Sequence, residues 1–235
     1  MRKLVVALVS LLLALPGAGR AEGEFDDFLK PAPRTAPESG LSLGVRAGYG
    51  IPMGSASGAA GQALSSYFAR SVPLQIEAGW RFSPKLYAGA YFQYALASIA
   101  SQFNSQFCGS GVSCSGNDLR FGADVIYTFL PRATIAPWVG VGTGYEIMNL
   151  TGSQGSQRVE LRLKGFEFAH AMAGADYRLW PNVRIGLFAA LTLAQFATLE
   201  TPFDEDGNFG PTRTVNLPKA LHEWLQLGLR SMVDF

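Results

Sequence analysis

The side chains best suited to chemistry in this chain are two histidines, His170 and His222. Nucleophilic hydrolysis requires a hydroxyl or thiol beside a general base that a third group orients. His170 begins the segment His-Ala-Met, which has no serine at the third position, and His222 precedes Glu223. Neighbouring side chains in a strand point to opposite faces, so His222 and Glu223 cannot simply pair. We therefore predict no catalytic residue and interpret both histidines as structural or loop residues.

The two cysteines are the other reactive pair. Cys108 and Cys114 lie in the segment Cys-Gly-Ser-Gly-Val-Ser-Cys. In a secreted protein an even, closely spaced pair predicts a disulfide. No histidine or further cysteine accompanies the pair, and a catalytic redox pair is more often spaced Cys-x-x-Cys. The sequence therefore predicts a disulfide in a loop, with no metal and no cofactor.

Charge is nearly balanced along the chain. It has 19 basic and 18 acidic side chains and a formal net charge of +1. A balance of this kind does not predict a polyanionic partner such as nucleic acid. No glycine-rich loop opens a helix in the way that phosphate binding requires. Nucleic-acid binding and nucleotide chemistry are therefore not predicted.

The N-terminus has the pattern of a secretion signal. Arg2 and Lys3 precede an apolar run at 4–15, and Gly19 and Ala21 supply the small residues that a signal peptidase requires. The run is shorter than the ~20 residues of a membrane-spanning helix. We expect residues 1–21 to be a cleaved signal peptide and residues 22–40, with three prolines, to be a flexible periplasmic segment.

The remaining residues, 41–235, alternate between apolar and polar positions with a period of two, which predicts β-strands. No later apolar run approaches the length of a helical span, so any membrane crossing is expected to use strands. Eight strands are an even number, as a closed single-chain membrane barrel requires. The predicted segments are 41–51, 72–82, 86–100, 119–130, 134–148, 158–179, 183–200 and 219–235.

Connections between these segments alternate between short and long. The short ones are the proline-bearing turns at 83–85, 131–133 and 181–182, and the long ones lie at 52–71, 101–118, 149–157 and 201–218. Membrane barrels have short periplasmic turns and long extracellular loops. The pattern therefore favours an up-and-down antiparallel barrel with four extracellular loops and both termini on the periplasmic side.

The phase of the charged residues predicts which face of each strand meets lipid. An Arg or Lys that faces the bilayer midplane costs roughly 2–4 kcal/mol. If the apolar positions face outward, ten charged side chains form a network in the barrel interior, and Arg162 and Lys164 also point inward. Glu167, Lys219 and Glu223 are predicted to point outward near the loop ends. The predicted interior network is Arg46, Glu77, Arg81, Arg120, Asp124, Glu146, Asp176, Arg178, Arg184 and Arg230.

Outward aromatic side chains gather at the strand ends rather than in the middle. This is typical of the two aromatic girdles of a membrane barrel. A soluble barrel with core aromatics is the alternative. The predicted periplasmic girdle is Trp80, Phe82, Tyr127, Phe129, Tyr177 and Phe235, and Tyr49, Tyr94 and Tyr145 are placed at the outer end.

The final strand alternates strictly from Leu221 and ends on Phe235. In this it resembles the terminal strand of bacterial outer-membrane β-barrels, and the whole of 41–235 is similar in architecture to the small OmpA/OmpX/OmpW-like superfamily. The resemblance implies an outer-membrane location, contact with outer-membrane lipids, and Phe235 as the signal read by the barrel-assembly machinery. It rests on general architecture and not on a family-specific motif.

The function expected from this architecture is non-enzymatic, either structural or in surface interactions through the four extracellular loops. A first alternative is a narrow channel for small hydrophobic solutes, as in the OmpW type. Its apolar pocket would be lined by Phe166, Phe168, Phe188, Phe196 and Trp224. A soluble periplasmic eight-stranded carrier shows the same alternation and is a second alternative. A lipid-modifying barrel enzyme ranks below both.

Overall fold

The computed structural model describes residues 38–101, 103, 108, 111–155, 157–203 and 209–235. The predicted signal peptide and most of the predicted flexible segment lie outside these residues. The described residues form a short helix α1 (Leu64–Tyr67) and nine strands: β1 (Gly40–Gly54), β2 (Phe68–Arg81), β3 (Leu86–Ile99), β4 (Ser113–Thr128), β5 (Ile135–Gln154), β6 (Gln157–Trp180), β7 (Val183–Phe203), β8 (Phe209–Asn216) and β9 (His222–Asp234).

Eight of these strands close into a ring. Each of β1 to β6 pairs antiparallel with the next strand in the chain, β7 pairs with β9, and β9 returns to β1. Closure leaves no unpaired strand edge within the ring, as a hydrocarbon environment demands. The predicted eight-stranded antiparallel barrel is confirmed. None of the helices in the described part of the chain has the length and hydropathy of a membrane-spanning helix.

The strands differ in height on the side of the long connections. Strands β5, β6 and β7 contain 20, 24 and 21 residues, whereas β1, β2, β3 and β9 contain 13 to 15. The β5–β6 hairpin continues almost to its tip, where residue 154 pairs with residue 157. Strand β8 lies within the fourth predicted loop and pairs with β7. Much of the third and fourth predicted loops is therefore a β-sheet wall that rises above the ring.

A β-bulge in β6 exchanges the inward and outward positions of the residues that lie between it and the loop. Gly142 of β5 pairs with His170, but Gly144 pairs with Glu167, so an extra residue of β6 is accommodated between these two pairs. Such a bulge shifts the alternation of side chains by one position. The hydroxyl of Thr143 donates a hydrogen bond of 2.7 Å to the carbonyl oxygen of Glu167 at this point.

Because of this bulge, several predictions made from strict alternation are wrong. Glu167 was expected to face outward, but it is buried in the lumen at 1% exposure. Phe166 and Phe168 were expected to face inward, but both are about half exposed on the outer surface. Arg162 and Lys164 likewise point outward instead of inward, where both contact Glu200. A single extra residue therefore accounts for all of these differences.

Glycines in the wall make room for large interior side chains. A Cβ atom added at Gly144 would lie 2.4 Å from the hydroxyl oxygen of Tyr91 and 2.7 Å from the backbone oxygen of Phe121. Both distances are far below a van der Waals contact, and the backbone atom cannot move away without disturbing the β4–β5 pairing. Gly144 therefore has a steric role in the wall.

We expect Gly144→Ala to lower the free energy of unfolding by about 1–3 kcal/mol, the usual cost of overpacking. The measurement is the urea concentration at which the purified barrel loses its heat-dependent gel mobility. Gly152→Ala is the matched control, because its Cβ would meet its nearest atoms at 3.8 and 3.9 Å, which is ordinary contact. Equal midpoints for the two variants would contradict the steric role of Gly144.

Candidate functional site: the barrel lumen and its outer plug

The end of the lumen beside the short turns, which is predicted to be the periplasmic end, is organised around Asp234, the penultimate residue. Its carboxylate accepts hydrogen bonds from Ser42 at 2.7 Å, from Arg81 at 3.1 Å and from Arg184 at 2.9 Å. These partners lie on β1, β2 and β7, so one side chain of β9 joins four strands. Arg178 donates to the carbonyl oxygens of Pro131 and Pro181 in two of the short turns. We call this group the inner cluster.

The middle of the lumen contains a second layer of paired charges. Arg46 contacts Glu77 and Asp124. Arg230 lies 3.3 Å from Glu77 and 3.8 Å from Asp176. The Arg230 guanidinium also stacks over the Trp138 ring at 4.3 Å, and the indole N–H of Trp138 donates to Asp176 at 2.9 Å. This middle cluster fills the lumen at mid-depth with side chains from six strands.

A third layer, the outer cluster, surrounds Arg120. Its guanidinium contacts Asp118 and Glu146, each at 2.8 Å, and Glu167 at 3.6 Å. It also donates to the hydroxyl of Thr192 at 3.1 Å. One cation therefore faces three carboxylates, and these four side chains and Thr192 are each at most 3% exposed. Asp118 and Glu167 were absent from the predicted network.

Both histidines belong to this outer cluster. The Nε2 atom of His222 lies 2.7 Å from Glu146, and the His222 ring stacks on Phe196 with centroids 4.1 Å apart. His170 contacts Glu167 through Nδ1, and Tyr91 donates to the same carboxylate at 2.9 Å. The histidines thus hold carboxylates in a closed lumen, as a structural role would require.

All ten residues of the predicted interior network are buried, with exposures between 0 and 8%. The structure divides them among the three clusters instead of a single network. Adding Asp118, Glu167 and Asp234 gives six arginines and seven carboxylates buried in the described part of the lumen. Each arginine lies near at least one acidic side chain or backbone carbonyl. The lumen is therefore filled by paired charges.

An apolar plug covers the outer cluster. Loop 1, residues 55–67, folds inward so that Leu64 of α1 is completely buried, together with Phe68. These side chains pack against Met148, Phe196 and Trp224, and the Trp224 ring lies 5.5 Å from the Arg120 guanidinium. The outer mouth of the ring is thus closed by close-packed hydrocarbon.

The predicted apolar pocket is only partly assembled. Phe196 and Trp224 point inward and belong to the plug, where both are completely buried. Phe188 also points inward but lies deeper, in a cluster with Trp138 and Met232. The two remaining members, Phe166 and Phe168, face outward because of the β6 bulge. The five side chains therefore do not line one pocket.

The second loop is closed by the predicted disulfide. Cys108 and Cys114 are bonded, with their Cα atoms 5.9 Å apart. Cys114 lies in β4, where it pairs with Gly152 of the tall β5–β6 hairpin. The disulfide therefore ties loop 2 to the wall.

Phe235, the predicted assembly signal, is 63% exposed at the predicted periplasmic end, and its backbone N–H donates to the carbonyl oxygen of Leu41.

The outer surface of the ring is apolar. Exposed hydrophobic side chains occupy the outward positions of all eight ring strands, while the buried charges occupy the inward positions. A soluble carrier has the opposite arrangement. This chain is an outer-membrane β-barrel. Representative members of the belt are Val45, Ile76, Phe92, Val125, Val141, Phe166, Leu187 and Leu229.

The aromatic side chains mark both edges of the belt of this outer-membrane barrel. The six residues of the predicted periplasmic girdle are each between 40 and 63% exposed. Towards the outer side, four aromatic residues lie directly opposite one another on β3 to β6, and the first outward charge above them on β6 is Lys164. The cross-strand row is Phe92, Phe121, Tyr145 and Phe166.

The sequence of the barrel matches no protein-family model and no curated protein. Solved structures similar to it include Neisserial surface protein A, at 15% identity and a TM-score of 0.47, with 85% of this chain and 100% of that chain covered. A major outer membrane protein of Thermus thermophilus has 15% identity, a TM-score of 0.46, and coverage of 82% and 99%. OprG of Pseudomonas aeruginosa has 11% identity, a TM-score of 0.46, and coverage of 86% and 100%.

The sequence reasoning missed three acidic members of the lumen for different reasons. Asp118 lies in a segment predicted as loop, because its neighbours Gly116 and Asn117 are turn-forming residues. Glu167 was assigned outward by strict alternation across the bulge. Asp234 occupies the inward phase of the last strand, and this phase was the signal that could have found it. No local signal in the sequence indicates the bulge.

Proposed function

We propose that this protein is a non-enzymatic, non-conducting outer-membrane barrel that acts through its extracellular face. The observation that carries the proposal is the closed lumen. An eight-stranded barrel has an interior just wide enough to be filled by side chains. Here three layers of paired charges fill it, and the apolar plug of loop 1 covers the outermost layer.

The extracellular wall supports a role at the cell surface. Above the aromatic row and the Leu119–Ile147 pair, outward positions of β4 to β7 are polar and form a cross-strand ladder. Asn149 donates to Asn117 at 2.8 Å and accepts from Arg162 at 2.9 Å, and Arg162 lies 3.8 Å from Glu200. The polar character of this ladder indicates that this part of the wall lies in water or among lipid headgroups, where a partner can reach it.

The channel alternative gains no support from the lumen. A hydrophobic solute would need a pocket that opens to the outside, but Phe196 and Trp224 are buried against Leu64 and Phe68. Below them lies the charged outer cluster, which an apolar solute could enter only by displacing ion pairs. We therefore propose the surface and structural role in preference to transport.

Conductance tests the closed lumen directly. We expect liposomes that contain the purified barrel to show no flux of ions or small sugars above that of protein-free liposomes. The variant Leu64→Ser, which weakens the plug alone, is expected to remain closed because the outer and middle clusters still fill the lumen. Steady single-channel steps from the native protein in a planar bilayer would contradict the proposal.

A loop exchange tests the role of the extracellular face. Residues 204–208 are replaced by a glycine-serine segment of equal length, and the periplasmic turn 83–85 is replaced in the same way as the matched control. Cells that produce each variant are compared for adhesion and for sensitivity to detergent.

Under a surface-interaction role, only the exchange at 204–208 lowers adhesion. Under a structural role, deletion of the protein raises detergent sensitivity and both variants restore resistance. If deletion of the protein changes neither property, the proposed role is wrong.

A further inference from the structure

A small polar cavity lies inside the barrel between the middle and outer clusters. It leaves about 20 Å³ for the centre of a water-sized molecule. Holding one water requires roughly 10–15 Å³ by this measure. The cavity is lined mainly by polar side chains, which include Gln75, Gln93, Thr192 and Gln226, with Arg46 below and Arg120 above. Its size and lining fit a ligand of one heavy atom.

Three hydrogen-bond donors of the lining residues have no protein partner among the described residues. They are the Nε of Arg46 and the side-chain amide nitrogens of Gln75 and Gln93. These residues are between 3 and 7% exposed, so bulk water does not reach them freely. A buried donor without a partner costs about 1–3 kcal/mol. All three donors belong to side chains that line the cavity, so a ligand bound there would be their nearest available partner.

Two acceptor groups of the same lining, the carboxylate of Glu167 and the hydroxyl of Thr192, are already occupied. One oxygen of Glu167 accepts from Tyr91 and contacts His170, and the other lies 3.6 Å from Arg120. The hydroxyl of Thr192 accepts from Arg120 at 3.1 Å and donates to a backbone carbonyl at 3.3 Å. The Nε–H of Arg46 can only donate, so a ligand that satisfies it must accept a hydrogen bond.

We propose that this cavity is a binding site for a water-sized hydrogen-bond acceptor, either a halide ion or the oxygen of a water molecule. The bound acceptor links the guanidinium of the middle cluster to the two glutamine amides and fills the remaining space of the lumen. A halide accepts only from donors, whereas water also donates to a carbonyl oxygen if either amide is turned over. The site is independent of any extracellular role.

Crystallography of the purified barrel separates the two sources. Crystals are grown in sodium chloride and in sodium bromide, and anomalous differences are collected at the bromine edge. An anomalous peak within hydrogen-bond distance of the amides of Gln75 and Gln93 identifies a halide. Ordered density without an anomalous signal in both salts identifies water. A cavity without density in both crystals overturns the proposal.

A solution measurement examines the halide separately, with the variant Gln93→Leu and the control Gln195→Leu, whose side chain lies on the outward phase of β7. If a halide binds, replacing sulfate by chloride raises the unfolding temperature of the native barrel and of Gln195→Leu, and this shift is lost in Gln93→Leu. If chloride raises the unfolding temperature equally in all three proteins, no halide binds in this cavity. The proposed site is then supported only if the crystals show ordered water density there.

Discussion

Replacement of Arg120 by methionine is expected to lower the free energy of unfolding by at least about 3–5 kcal/mol, or to prevent folding altogether. The substitution keeps an unbranched side chain but removes the charge. Asp118, Glu146 and Glu167 would then face one another in the lumen without the cation that all three contact. Leaving buried charges uncompensated is among the most destabilising changes known for folded proteins.

The measurement is the urea midpoint of the heat-dependent gel shift in phospholipid vesicles. Arg162→Met is the matched control, because Arg162 also contacts two carboxylates, Glu160 and Glu200, but its side chain is 42% exposed on the outer wall. Exposed ion pairs contribute about 0–1 kcal/mol. Equal, small shifts for Arg120→Met and Arg162→Met would show that the outer cluster does not stabilise the barrel.

A compensating variant keeps this prediction testable if Arg120→Met does not fold. Adding Glu146→Gln and Glu167→Gln removes two of the three uncompensated charges while preserving the shape of the side chains. We expect the triple variant to recover folding and part of the lost stability. If the triple variant is no more stable than Arg120→Met, the loss arises from packing and not from charge.

Asp234→Ala is expected to lower the free energy of unfolding by about 3–5 kcal/mol. Three donors on three strands, Ser42, Arg81 and Arg184, converge on this carboxylate. Its removal leaves two buried guanidinium groups without their shared acceptor at the point where β9 meets β1. Because that pairing closes the ring, we also expect a smaller fraction of the variant to reach the heat-modifiable form when it is folded into vesicles.

The matched control for Asp234→Ala is Glu38→Ala. Glu38 pairs with Arg132 at 3.7 Å, but its side chain is 79% exposed, so its loss should change stability by less than about 1 kcal/mol. The expected order of urea midpoints is native, then Glu38→Ala close to it, then Asp234→Ala well below. An Asp234→Ala barrel that unfolds at the native midpoint would contradict the role of the inner cluster.

The number and order of the ring strands can be predicted from local patterns in the sequence. Each ring strand alternates strictly over most of its length, and proline-bearing turns mark the periplasmic connections. A charge in the apolar phase would face lipid, so the charges themselves indicate which face is inside. Arg46, Glu77 and Arg230, for example, are assigned to the inner face by this reasoning, and all three are buried in the structure.

The height of the wall could not be predicted from local patterns in the sequence. Glycine, serine and asparagine are frequent in the outer halves of β4 and β5, and these residues are typical of loops. They form strands because the pairing that begins in the apolar belt continues upward, from Leu119 opposite Ile147 to Ser113 opposite Ser153. Strand β8 likewise exists because β7 extends far enough to pair with it.

The sequence by itself determined that this protein is a membrane barrel with charges inside, because period-two alternation and charge phase are local properties. Only the tertiary structure decided which charges meet. The bulge at Thr143 and Glu167 turns a carboxylate inward, and the inward fold of loop 1 closes the outer mouth. Both features depend on contacts between residues far apart in the chain. These contacts override the local alternation from which the inward or outward direction of a side chain is predicted.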